Sequence, residues 1–225
     1  MYIKEILLNT NDLEQTALFY EERLELKIRY QDHNYISFDA GSSVLSFVKN
    51  ERILHPVYHF AFNIPPNELR QAMVWLKTRV KLLPVNGNEL VDFPRWNAHS
   101  MYFHDNNQNV LEWIARHDLK YEIRHSYSGG MVESISEIGL VADDVPLYAA
   151  KLSADYQIPV YPKQNPQENF AVLGTEQALL ILSETGRDWF PTDIPGKKFP
   201  LKLTLGFERG GIEKTIETGQ QDVWQ

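Results

Sequence analysis

HFAFNIPPNEL, residues 59–69, decides how the rest of the chain is read. Its alternate residues His59, Ala61 and Asn63 share one face of a strand, and Phe60 and Phe62 share the other. The Pro-Pro pair ends that run, and Asn67 is placed to cap a helix over ELRQAMVWLKTRV. Two other stretches align with it without gaps: EILLNTNDL (5–13) and EIGLVADDV (137–145). Each again leads into a helix. Asn11 or Asp12 can cap LEQTALFYEERL, in which Leu13, Ala17, Phe19, Tyr20 and Leu24 form an apolar stripe. Asp144 can cap VPLYAAKLSADY, with Pro146 in the first turn.

Hairpins follow downstream of each helix: NYISFDAGSSVLSFVK (34–49), SMYFHDNNQNVLEWIA (100–115) and NFAVLGTEQALLILS (169–183). The repeating unit is therefore βαβββ, and the fold class is α+β built from repeated modules. The expected organisation is a pair of modules over 1–118, divided into 1–52 and 53–118. A linker over 119–130 contains HSYSGG (125–130) as a flexible joint, and a third, degenerate module with an extra strand and tail fills 131–225. FPLKLTLGF (199–207) reads as the opening strand of an unfinished fourth unit, and the tail after it shows no strand signal.

Composition narrows the chemistry. The 225 residues are 43% hydrophobic and 23% charged, with a formal charge of -8 and no basic stripe, which argues against nucleic acid as a partner. There is no cysteine, so any metal must be held by His, Asp, Glu or water. No apolar run approaches the ~20 residues of a membrane span, and MYIKEILLNTNDLEQ lacks the pattern of a signal peptide; the expectation is a cytoplasmic protein. Neither a phosphate-binding glycine loop nor a nucleophile elbow is present.

Two features point to a site. Glu5, His59 and Glu137 fall in the same slot at the start of the aligned strands. In the middle hairpin, the turn DNNQN (105–109) pairs His104 with Val110 and so sets Tyr102 across from Glu112, about 5 Å apart at Cβ. The same count puts Ser46 and Leu180 at the slot of Glu112 in the other hairpins.

The strand and helix start EILLNTNDLEQTALFYEERLEL, the strand YHFAFNI and the hairpin MYFHDNNQNVLEW together resemble the vicinal oxygen chelate superfamily. That superfamily includes glyoxalase I, bleomycin-resistance proteins and extradiol dioxygenases. The resemblance implies curved mixed sheets, with two units forming one cup around a divalent metal held by the opening strands and the last strand. Carried over, it implies Glu5, His59 and Glu112 as ligands, Ser46 at a weak fourth slot, and Tyr102 as a substrate-contacting catalytic residue. Glu137 is set aside, because its own unit carries Leu180 at the hairpin slot and the last strand offers only Lys202 near the matching one.

A histidine with two carboxylates suits Mn, Zn, Ni or Mg better than Fe(II). The implied function is lyase, isomerase or ring-cleavage chemistry on a small oxygen-rich substrate, by a monomer or homodimer. The alternative is a metal-free protein of the bleomycin-resistance type that sequesters a small molecule. His33, His99 and His104 are candidate bases, and RWNAH (95–99) is a candidate substrate rim.

Overall fold

In the computed structural model, residues 1–120, 131–207 and 211–219 are described, and each aligned stretch forms the first strand of a unit. The first unit contains β1 (Tyr2–Thr10), α1 (Leu13–Ala17), β2 (Lys27–Gln31), β3 (Tyr35–Ala40) and β4 (Ser43–Lys49). The second contains β5 (His59–Asn63), α2 (Leu69–Lys77), β6 (Leu82–Leu83), β7 (Val91–Phe93), β8 (Ala98–His104) and β9 (Val110–Arg116). The third contains β10 (Ser134–Ala142), α3 (Val145–Tyr156), β11 (Phe170–Thr175) and β12 (Ala178–Glu184), and β13 (Leu201–Phe207) and β14 (Ile212–Thr218) come last. The expected joint at 125–130 lies outside the described residues.

Local chemistry accounts for the helix starts. Asp12 accepts the amide of Gln15 at 3.0 Å, and Asp144 accepts that of Leu147 at 2.9 Å, so both helices are capped by aspartate. The middle helix differs from expectation. Pro66–Glu68 forms a tight 3-10 turn behind Pro65, and α2 starts at Leu69 with no side-chain cap rather than at Asn67.

Two mixed sheets result, ordered β14-β13-β1-β4-β3-β2 and β11-β12-β10-β5-β9-β8-β6, with β7 on β8. The second unit therefore shares its sheet with the third, and the first unit is joined by β13 and β14; the expected sheet of units one and two does not form. The reason lies at the strand flanks. β1 is already bordered by β4 on one side and β13 on the other, whereas β5 and β10, both buried along their paired lengths, need one another. β14 is a further correction, since the sequence of the tail shows no strand signal. It is an edge strand whose only buried residue is Ile216, so its pattern is polar and backbone pairing to β13 supports it.

The two antiparallel joints have the same construction. A bulge interrupts β1–β13 pairing between Ile3 and Glu5, and another interrupts β10–β5 pairing between Ile135 and Glu137. Each bulge re-aims the glutamate that follows it. One continuous apolar core runs between the sheets, including Ile6, Leu8, Phe38 and Phe47 from the first and Phe60, Phe62, Trp113 and Ile138 from the second. No described helix is long and apolar enough to cross a membrane.

Polar pins cross the same interface. The buried Ser43 hydroxyl donates to Ile3 O at 2.6 Å and accepts the Ile135 amide at 3.0 Å, and the Ser42 amide donates to Glu133 O at 2.9 Å. Gly41 precedes them at φ +63, where a Cβ would fall 2.2 Å from Glu133 O, so the approach needs glycine. Ser43→Ala strands a buried donor and acceptor and is expected to lower unfolding free energy by about 1–3 kcal/mol in urea titrations.

Candidate metal centre

The centre grows out of strands apolar on both faces. β9 sends Leu111 and Trp113 into the main core, while Val110, Glu112 and Ile114 face the concave side. Pairing of β8 with β9 puts His104 opposite Val110 and Tyr102 opposite Glu112. Parallel pairing sets Ala61 of β5 beside Glu112, and antiparallel pairing sets Glu137 of β10 beside the same Ala61. An alanine at the crossing leaves room for two carboxylates and the imidazole of His59. One ligating atom from each of His59, Glu112 and Glu137 lies within 4.8 Å of the others, and all three side chains are buried.

Protonation at this cluster is constrained by geometry. His59 Nδ1 lies 2.9 Å from Val110 O, an atom that can only accept, so Nδ1 carries the hydrogen. Nε2 is then a lone pair, and it faces Glu112 Oε2 at 3.8 Å. Burial pushes the imidazole below its ordinary 6.5, against the opposing pull of Glu137. Burial likewise raises Glu112, although the Ser100 hydroxyl donates to its Oε1. Glu137 is pushed up to about 7 by burial and by the charge of Glu112, despite an ion pair with Arg116. An imidazole lone pair and two buried carboxyl groups thus converge, a donor set that could hold a divalent cation.

The cluster floors a cavity of about 240 Å3, walled by Phe93, Trp96, Tyr102, Phe170, Trp189 and Phe190. Gln164 and Arg187 add polar groups. The Trp189 ring packs against His59 at a tilt of 34°, with centroids 5.3 Å apart, and lies over Gly139, where a Cβ would come within 2.6 Å of the indole. Tyr102 is buried against the carboxylates, and burial together with Glu112 and Glu137 holds its hydroxyl well above the ordinary value of 10. Hollows of about 570 and 650 Å3 lie elsewhere, but no other metal-capable group exists among the described residues.

Glu5 is not brought to this place. It stands in the six-stranded sheet, where Oε1 accepts from the Ser46 hydroxyl at 2.6 Å and lies 3.4 Å from that of Tyr35. By the matching joints, Glu5 corresponds to Glu137 and Lys202 to His59, so the first sheet carries a lysine in place of the imidazole. Glu137 takes the position expected of Glu5, and its slot in the aligned opening strands was the signal for it. Ile181, one residue beyond the expected Leu180, occupies the position in β12 corresponding to Glu112 and gives the cavity an apolar wall there. None of the candidate histidines lines the cavity: His99 meets His117 at 2.9 Å, His104 meets Asn109 O at 3.3 Å, and His33 is exposed. Of RWNAH, Trp96 reaches the wall.

The sequence model of the Glyoxalase/Bleomycin resistance protein/Dioxygenase superfamily matches residues 2–155. The chain belongs to that superfamily. Among solved superfamily-like structures, one from Bacillus subtilis subsp. subtilis str. 168, described provisionally as a dioxygenase, is 12% identical with a TM-score of 0.61, covering 96% of this chain and 84% of that one. At that identity the likeness shows the fold. A glyoxalase/bleomycin resistance protein/dioxygenase from Nocardioides is 20% identical with a TM-score of 0.42, covering 57% of this chain and 90% of that one. A lactoylglutathione lyase from Agrobacterium tumefaciens is 17% identical with a TM-score of 0.44, covering 53% of this chain and 97% of that one. A search of curated proteins finds no match.

The raised carboxyl has a measurable consequence. With a folded pKa of about 7 against an ordinary 4.5, Glu137 holds more proton when folded, so its contribution to metal-free stability is lost as pH rises through that interval. Glu137→Gln cannot ionise. The difference in melting temperature, variant minus chelator-treated wild type, is expected to increase from about pH 5 to about pH 8. His59, lowered in the fold, works in the opposite sense, and loss of the Glu137 charge that holds it up adds to the same trend.

Proposed function

We propose that this protein is a metal-dependent enzyme of the glyoxalase/dioxygenase type, with His59, Glu112 and Glu137 as ligands. Its substrate is a small, oxygen-rich molecule, and its reaction is of the lyase, isomerase or ring-cleavage class. The supporting observation is the convergence of a proton-free imidazole nitrogen and two buried carboxylates at the floor of an aromatic cavity. A divalent ion bound there supplies Lewis-acid polarisation of two neighbouring substrate oxygens.

The chain's own residues complete the site. Phe93, Trp96, Phe170, Trp189 and Phe190 exclude water and favour a flat molecule, and the cavity lies below the ~300–1,000 Å3 usual for drug-sized ligands. Tyr102, kept protonated by its surroundings, donates a hydrogen bond to substrate oxygen. Arg187, whose guanidinium lies over Phe170 at 4.6 Å, has no carboxylate partner among the described residues and offers its charge to an anionic substituent. The aromatic walls also suit metal-free sequestration of a small molecule, the second reading.

Calorimetric titration of chelator-stripped protein with Mn(II) separates the two. The metal reading expects one ion per chain, with affinity falling by about 100-fold or more in Glu112→Gln and Glu137→Gln and changing less than about twofold in Glu5→Gln. A wild type that takes up none of Mn, Zn, Ni or Fe leaves the sequestration reading standing. Arg187→Met is expected to weaken binding of an aromatic carboxylate by about 10-fold or more while leaving its uncharged analogue unaffected, as read by the same method.

A further inference from the structure

Arg116, the last residue of β9, is fully buried beside the centre and has no part in the reading above. Its Nη2 bonds Glu137 Oε1, and its Nε donates to the Ser136 hydroxyl at 3.1 Å. Ser136 is the bulge residue of β10, so the irregularity that aims Glu137 also clamps the guanidinium that meets it. A guanidinium does not lose its proton in a protein, so this charge is permanent.

We infer that Arg116 is a positioning and charge-balancing residue for Glu137, making a one-histidine, two-carboxylate centre equivalent in charge to a two-histidine, one-carboxylate centre. The inference rests on the metal reading of His59, Glu112 and Glu137. A carboxylate has two oxygens, and with Oε1 engaged by Arg116 the other remains for an ion. A divalent ion on Glu112, Glu137 and a neutral imidazole is formally neutral. With Arg116 counted, the group carries one positive charge, as does a divalent ion on two imidazoles and one carboxylate. The second carboxylate therefore does not by itself disfavour iron.

Other charges lie beyond Arg116, and their placement decides whether they undo its effect. Its Nη1 is 3.6 Å from Glu176 Oε2, but Glu176 is already bonded by Lys163 Nζ at 2.5 Å and by the Tyr161 hydroxyl at 2.8 Å. Lys163 in turn meets Asp118, whose side chain is 44% exposed. Signs alternate outward, and the outer members are screened by solvent. Of these charges outside the three ligands, the guanidinium is the one that is wholly buried and in contact with a ligand.

The test uses the full chain loaded with iron, whose midpoint potential reads the ratio of Fe(III) to Fe(II) affinity. Arg116→Met is expected to shift that ratio toward Fe(III) by about tenfold or more, and Glu137→Gln to shift it the other way. The double variant, with the wild-type charge restored, is expected within about threefold of wild type. A folded Arg116→Met protein with an unchanged ratio overturns the role of Arg116. Should that variant fail to fold, the double variant decides: a ratio equal to that of Glu137→Gln alone overturns the inference, and one returned toward wild type supports it. Uptake of Mn, Zn, Ni or Fe by wild type, measured first, keeps the failures apart. No uptake overturns the metal reading and this inference with it, whereas uptake with an unchanged iron ratio overturns the role of Arg116 alone.

Discussion

The antiparallel contact between β5 and β10 is the joint on which the rest of the molecule depends. It fuses two units into one eight-stranded sheet, sets Glu137 beside Ala61, and so brings a carboxylate to His59 from a different unit. The bulge at Ser136 makes the contact productive, because an uninterrupted ladder would send the residues on one side of it to the opposite face. The same joint, built between β1 and β13, leaves Glu5 bonded to Ser46 and no metal-capable group among the described residues. Identical backbone construction with different side chains thus yields one charged pocket and one quiet polar face.

Burying ionisable groups is costly unless each is paired, and the second sheet meets that requirement in layers. Glu112 is held by Ser100, Glu137 by Arg116, and Arg116 by Ser136 and, at longer range, Glu176. The outermost members, Lys163 and Asp118, reach solvent. Towards the cavity the arrangement is different, since His59 Nε2 and the carboxylate of Glu112 face each other as acceptors. On the protein side each charge has an opposite charge or a hydroxyl beside it, whereas the cavity side is open.

How much of this could be read from the residues alone depended on the range of the interaction. The Tyr102–Glu112 register follows from a five-residue turn and a period of two, both local, and the aspartate caps at Asp12 and Asp144 are equally local. Asn67 misleads because two prolines impose a tight turn that shifts the helix start. β14 is hidden because an exposed edge strand needs few apolar residues. Glu137 was visible in the aligned slot but not in its consequence: which units share a sheet is decided by the flank of β1, occupied by a strand roughly 200 residues away. His59 and Glu112 belong to one unit and were legible; the third member comes from another.

The nesting of the two sheets also bears on synthesis. All strands of the eight-stranded sheet lie between His59 and Glu184, whereas β1 finds its neighbour β13 only after that whole stretch has been made. Chain emerging from the ribosome can therefore close the inner sheet around the charged cluster while one long edge of β1 still lacks its partner. Pairings between distant segments form late. That order of synthesis lets the cavity be framed while the sheet that holds Glu5 is still open along one edge.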